Sequence, residues 1–123
     1  MIALNYRDSK PIYEQIQEGF RRMILSGMLA TNEKLPSVRE LASELAINPN
    51  TIQRAYRELE TEGFIYSVPG KGSFAAALSE VDDSHKKAQL RCFDETTIEL
   101  LHLGVTLEEL IERINKLTKE INR

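Results

Sequence analysis

The sequence predicts a mainly helical fold with one small β hairpin, and three observations carry that prediction. Apolar residues recur every three or four positions over several stretches, which indicates amphipathic helices. Residues 64–68 are β-branched and aromatic, and after the glycine-rich turn 69–72 an extended pattern resumes, which is typical of a hairpin. Three helices precede the hairpin, with a tight turn between the second and third. This is the order of a winged helix-turn-helix.

Size and composition limit what the chain can be. Its 123 residues, 41% hydrophobic and 28% charged, suit one compact domain plus a helical appendage. No apolar run is long enough for a bilayer span, and the first ten residues lack the apolar core of a secretion signal, so we expect a cytoplasmic protein. The single Cys92 is expected to be a small core or interface residue.

The distribution of charge matters more than its total. A net charge of −3 is unusual for a protein that meets nucleic acid. Residues 1–76 hold nine Lys and Arg and nine Asp and Glu, so the whole deficit lies in the tail. The segment from Ala46 to Arg57 contains two arginines and no acid. A local basic face is therefore compatible with an acidic protein.

The first helix is predicted from Pro11 to about Ser26. Proline suits its first turn, and Gly27 suits its end. The stripe that should face a core consists of Ile12, Ile16, Phe20 and Ile24, with Met23 alongside.

The second helix should begin at a capping box, in which the Ser37 hydroxyl accepts from the amide of Glu40 and the Glu40 carboxylate reaches back. It ends by Ala46, and Ile47 serves as the apolar peg of a tight turn. The expected buried residues are Val38, Leu41, Ala42 and Leu45.

The third helix is predicted from Asn48, as the cap, to about Glu62, with Pro49 at the first helical position and Gly63 as the terminator. Its apolar stripe is Ile52, Ala55, Tyr56 and Leu59, and we expect Tyr56 in the core with its hydroxyl exposed. The opposite edge carries hydrogen-bond donors and no acid: Asn50, Thr51, Gln53, Arg54 and Arg57.

The tail reads as two further helices. Residues 78–87 are polar and are either a mobile acidic linker or the first turns of a helix. Residues 88–103 suggest an amphipathic helix with a polar break at 94–97, ended by Gly104. Thr106 then opens another capping box. Two such helices are too small to cover their own apolar surface, so we expect a homodimer. The residues predicted to dimerise are Phe93, Leu100, Leu103, Leu107, Leu110, Ile111, Ile114, Leu117 and Ile121.

Several spaced motifs in one order resemble the GntR family of bacterial regulators. The motifs are Leu35-Pro36-Ser37, Arg39-Glu40-Leu41-Ala42, the helix starting at Asn50, Glu62-Gly63, and the wing from Pro69 to Phe74. The short tail and the Asn48-Pro49-Asn50-Thr51 start are similar to the YtrA-like subfamily, which has only a small two-helix dimerisation segment. The family usually has arginine where Pro49 stands and often where Gln53 stands, and we expect Arg54 to take over part of that role.

The resemblance implies a winged helix-turn-helix DNA-binding domain over residues 1–77 and a two-helix dimerisation segment over 78–123. It implies a transcription regulator, expected to be a repressor, that binds a palindromic operator as a homodimer. No cofactor is expected. A small-molecule effector, if there is one, would have to bind at the domain junction or in the dimer cleft.

The predicted contacts with DNA divide between base edges, phosphates and the wing. Arg39 resembles the family's DNA-contacting arginine, and Lys71 would approach the backbone or minor groove. The full predicted set is Ser37, Arg39, Asn48, Asn50, Thr51, Gln53, Arg54, Arg57, Gly70, Lys71 and Gly72.

Structural roles compete for several of these residues. Asn48 is foremost a helix cap, and Thr51 suits either role. The two wing glycines are foremost turn formers. Arg57 is as well placed to pair with Glu58 or Glu60 as to touch phosphate.

Other functions fit less well. Neither histidine belongs to a triad or ligand spacing, and Asp82, Asp83 and His85 suggest a polar linker more than a metal site, so we expect no enzyme. Two alternatives stay open: a winged helix that binds protein, which predicts no salt-sensitive DNA binding, and a helical adaptor tail, which predicts a monomer without its partner.

Overall fold

The computed structural model describes residues 2–122. Its internal contacts divide the chain into two compact units, one ending at His85 and one beginning at Lys86. No helix among these residues is both long and apolar enough to cross a membrane. The elements are α1 (Ile12–Leu25), α2 (Val38–Leu45), α3 (Pro49–Thr61), β1 (Ile65–Val68), β2 (Gly72–Ala75), a 3-10 turn (Leu78–Glu80), α4 (Asp83–His102) and α5 (Leu107–Ile121).

The core of the first unit forms where α1 and α2 pack on α3. The apolar stripe of each helix turns inward, as its periodicity predicts, and Phe20 meets Tyr56 edge to face at 5.5 Å between ring centroids. The fully buried residues include Ile16, Phe20, Leu41, Ile52, Ala55 and Leu59. Three helices and a hairpin thus share one core, and the predicted fold is confirmed.

The helix starts follow the predicted caps with one difference. Ser37 Oγ accepts from the Glu40 amide at 3.1 Å, and Asn48 Oδ1 accepts from the Asn50 amide at 2.8 Å. Within residues 2–122, however, the Glu40 carboxylate makes no return bond to Ser37. Only half of the predicted capping box exists, because a single cap bond already fixes the exposed first turn.

The hairpin is antiparallel, with Ile65 opposite Ala75 and Val68 opposite Gly72. Lys34, between α1 and α2, adds a single bridge to Phe74 on the free edge of β2. The wing is therefore joined to the segment that leads into α2.

The polar stretch after the hairpin is docked, so its prediction as a mobile linker is wrong. The Asp82 amide donates to the Glu62 carbonyl at 2.8 Å, and His85 Nδ1 lies 2.8 Å from the Glu62 carboxylate. The His85 ring also meets Phe64 edge to face. Residues 83–87 form the first turns of α4, which is the other alternative, and residues 78–80 form the 3-10 turn.

The second unit is a pair of helices. Helix α4 runs without interruption through the polar residues 94–97, and it begins at Asp83, five residues before the predicted start at residue 88. Thr106 Oγ1 caps α5 by accepting from the Glu109 amide at 3.2 Å, and Gly104 ends the preceding turn with φ 93°. Cys92 is exposed, which excludes a core role in the single chain.

Candidate nucleic-acid interface

The outward edge of α3 is built by its buried stripe. Because Ile52, Ala55, Tyr56 and Leu59 face the core, the residues between them must face solvent. Of the predicted edge residues, Asn50, Gln53, Arg54 and Arg57 are exposed and Thr51 is half-buried; Glu58, one turn after Arg54, is exposed as well. The acid-free edge that the sequence predicts is thus an exposed surface.

The first turn of α3 has no backbone donor to spare. Pro49 has no N–H, the Asn50 amide bonds to the side chain of Asn48, and the Thr51 amide bonds to the Asn48 carbonyl at 3.0 Å. Asn48 is therefore a structural cap, and the amides of Asn50 and Thr51 are not available to a ligand.

The start of α2 differs. Only the Glu40 amide is capped, so among the described residues the amides of Val38 and Arg39 have no partner. Tyr56 lies in the core, as predicted, and its hydroxyl fixes this turn against α3 by donating to the Pro36 carbonyl at 2.7 Å. The exposed Arg39 side chain and two unused amides thus form one donor cluster.

The carboxylates of α3 lie in its second half, and two of them have internal partners. Glu60 accepts from the Ser67 amide at 3.1 Å and from its hydroxyl at 3.3 Å. Glu62 accepts from Gln17 and Arg21, each at 2.9 Å. Glu60, and Glu62 just after the end of α3, therefore hold the wing and α1, whereas Glu58 is exposed and has no partner within residues 2–122.

Three arginines of the predicted set keep their donors unused. Within residues 2–122, the guanidinium groups of Arg39, Arg54 and Arg57 make no hydrogen bond or ion pair, so the pairing of Arg57 with Glu58 or Glu60 does not occur. By contrast, Arg21 is committed to Glu62. Unpaired exposed guanidinium groups are suited to phosphate oxygens and base edges.

The wing presents a cation at a tight turn. The Lys71 amide donates to the Val68 carbonyl at 2.9 Å, and Gly70 and Gly72 have φ values of 77° and 117°, which favour glycine. A Cβ on Gly72 would lie 3.0 Å from Cε of Lys34. Lys34 thus runs alongside the wing, and the exposed wing cations are Lys34 and Lys71.

The sequence prediction missed Tyr13, Lys34 and Glu60. The ring of Tyr13 lies 3.8 Å from the guanidinium carbon of Arg54. Lys34 could have been noticed as a cation just before the Leu35-Pro36-Ser37 motif. No local signal pairs Tyr13 with Arg54 or Glu60 with Ser67, since each contact joins separate elements.

The predicted dimerisation residues of the second unit form an apolar surface. Leu100 and Leu110 are half-buried between α4 and α5. The others are largely exposed: Phe93, Leu103, Leu107, Ile111, Ile114, Leu117 and Ile121.

Comparison with known proteins places the first unit in a described family. Residues 12–74 match the family model for "Bacterial regulatory proteins, gntR family". Over 98% of this chain and 95% of its relative, the sequence is 38% identical to the HTH-type transcriptional repressor YtrA of Bacillus subtilis.

Solved structures agree with this relationship. The crystal structure of a transcriptional antiterminator from Listeria monocytogenes is 34% identical, with a TM-score of 0.82 over 98% of this chain and 92% of that one. AraR(DBD) in complex with operator ORR3 is 31% identical, with a TM-score of 0.54 over 60% of this chain and 89% of that one. The second similarity covers a DNA-bound protein.

Proposed function

Because this chain belongs to the GntR family of bacterial regulatory proteins, we propose that it binds duplex DNA through α3, the start of α2 and the wing, and so regulates transcription. The observation that carries this proposal is the exposed, acid-free edge of α3. Its donors are unused within the described chain, and a major groove offers acceptors of matching kind. The family and this surface support a regulator rather than an enzyme.

The contacts divide by chemistry. Asn50, Thr51, Gln53 and Arg54 are the candidates for base edges, since their side chains extend from the start of α3, where the amides of Asn50 and Thr51 are already bonded. The unused amides at the start of α2, with Arg39, suit phosphate oxygens.

Arg57 and the wing residues supply further contacts with the sugar-phosphate backbone of the DNA. The wing glycines allow close approach, and Lys71 supplies charge. Ser37 and Asn48 act as caps, and their contribution is to position the helices.

We propose that the protein acts as a homodimer on a palindromic operator, because the second unit exposes many large apolar side chains, among them Phe93, Leu107, Ile114 and Leu117. Large exposed apolar patches on soluble proteins mark interaction sites. A twofold dimer would bring two copies of α3 to half-sites about one helical turn apart. The Bacillus subtilis relative is named a repressor, and we propose repression, in the cytoplasm, as the mode of action here.

The test is selection of duplexes from a random pool by the purified protein, followed by fluorescence anisotropy with the selected duplex at several salt concentrations. We expect a palindromic consensus and an affinity that falls steeply with salt. Failure to enrich any sequence, or salt-independent binding, would contradict the proposal. If the protein sediments as a monomer and binds no DNA, the adaptor alternative is favoured.

A further inference from the structure

Two arginines of the first unit lie beside an aromatic ring among the described residues, and Arg54 is closer to its ring, that of Tyr13. Tyr13 is the second residue of α1 and is half-buried, and Arg54 lies on the exposed edge of α3. The guanidinium carbon is 3.8 Å from the ring centroid. At that distance the flat face of the guanidinium is covered by the ring.

The other arginine beside a ring, Arg21, differs from Arg54 in its hydrogen bonding. Arg21 lies 5.5 Å from the Phe64 ring centroid, and its Nη2 bonds to both Glu62 oxygens at 2.9 and 3.2 Å. Arg21 is thus held within the fold by the Glu62 carboxylate, although its buried Nε has no partner among the described residues, and its role is structural. In the described chain Arg54 has the closer ring and no acceptor, which leaves its N–H groups pointing outward from the edge of the plane.

We propose that Tyr13 is a positioning residue for DNA binding: its ring holds the Arg54 guanidinium in one orientation, with the hydrogen-bonding edge presented to a phosphate or base. A free arginine side chain samples many rotamers and loses that freedom on binding. Stacking restricts it beforehand, which lowers the entropy lost on complex formation. The first turn of α1 thus takes part in binding without touching DNA.

This inference rests on the proposed function, and a double-mutant cycle tests it separately. Wild type, Tyr13→Leu, Arg54→Ala and the double variant are titrated with a fluorescein-labelled duplex selected by the wild type. Tyr13→Leu keeps an apolar side chain against the core but removes the ring. It should weaken binding about 2- to 5-fold, the range expected from an exposed cation–π contact.

The coupling is the decisive readout. On the Arg54→Ala background, Tyr13→Leu should change affinity by less than about 1.5-fold, because no guanidinium is left to orient. Tyr13→Phe keeps the ring and should restore wild-type affinity. Tyr6→Leu, at an exposed tyrosine near the N-terminus, is the matched control and should have no effect. Melting curves of all variants check folding.

Three outcomes would overturn the inference. If Tyr13→Leu weakens binding equally with and without Arg54, its role is general packing. If Arg54→Ala leaves affinity unchanged, there is no oriented contact. If the wild type selects no duplex at all, the proposed function fails first, and the positioning role fails with it.

Discussion

The Glu60 carboxylate of α3 holds Ser67 of β1 through two hydrogen bonds, from the amide at 3.1 Å and from the hydroxyl at 3.3 Å. This links the helix proposed to read bases to the hairpin proposed to reach the backbone. The two elements should therefore dock on DNA as one piece.

Removing that link should weaken DNA binding even though it removes a negative charge. We expect Glu60→Ala to lower affinity about 3-fold, since two hydrogen bonds of modest strength stop orienting the wing. Glu58→Ala is the matched control, because it deletes the same charge from the same helix without a bond to the wing. The control should bind equally or more tightly. If Glu60→Ala and Glu58→Ala change the affinity for DNA equally, the bonds between Glu60 and Ser67 do not contribute to binding.

Arg39→Ala should reduce affinity for the selected duplex and leave thermal melting nearly unchanged, because the side chain is exposed and unpaired within the described residues. Loss of one phosphate contact lowers the slope of log affinity against log salt by about 0.9. Arg22→Ala, an exposed arginine of α1 outside the proposed interface, is the control. A salt series in anisotropy measures both, and equal slopes would exclude Arg39 from phosphate binding.

Gly63→Ala should destabilise the first unit far more than Gly27→Ala. Both glycines have positive φ, 85° and 81°, so each substitution costs about 1–2 kcal/mol in backbone strain. A Cβ at Gly63 would also clash with the carbonyl of Glu80, whereas Gly27 has open space. Crowding adds about 1–3 kcal/mol. Chemical denaturation measures the difference, and equal losses would mean that residues 78–81 do not pack there.

Stability should fall above pH 10 partly because of Tyr56. Burial raises the pKa of the Tyr56 phenol above its ordinary value of 10.0. Below that pH the phenol is neutral in both folded and unfolded chains. Above it only the unfolded chain loses the proton, so the free energy of unfolding decreases as pH rises.

Tyr56→Phe should therefore flatten this alkaline decline. At neutral pH it should cost about 1 kcal/mol, because the bond to the Pro36 carbonyl is lost. Tyr6→Phe, at an exposed tyrosine, should follow the wild-type curve. Urea unfolding at pH 7 and at pH 10.5 compares the three proteins, and an identical alkaline decline in Tyr56→Phe would refute the assignment.

Ile114→Glu should separate the subunits by placing a charge within the proposed interface. Concerted binding of two half-sites would be lost, so DNA affinity should fall roughly 100-fold. Lys116→Glu places a carboxylate on the opposite side of α5 and should stay dimeric. Sedimentation velocity measures the mass of each. A dimeric Ile114→Glu protein would remove this part of α5 from the interface.

Local rules were sufficient to predict most elements. The caps at Ser37, Asn48 and Thr106 are short-range bonds, and the three helix starts that they predict are confirmed. The start of α4 was predicted too late, because residues 83–87 are polar and carry no apolar period that marks them as helical.

The candidate site was predictable only in part. The exposure of Asn50, Gln53 and Arg57 follows from the buried stripe of the same helix. The stacking of Arg54 on Tyr13 joins residues 41 positions apart, and the bond from His85 to Glu62 joins different elements. Such partners depend on how elements pack, which sequence spacing does not encode.

The closed first turn of α3 has a consequence for redesign. With the Asn50 and Thr51 amides already bonded and Pro49 without one, contacts with DNA along this turn would come from its side chains. Register along the duplex would then be set by α2 and the wing. Exchanging Asn50 or Gln53 for other polar side chains should therefore retarget the preferred sequence while leaving the docking pose intact.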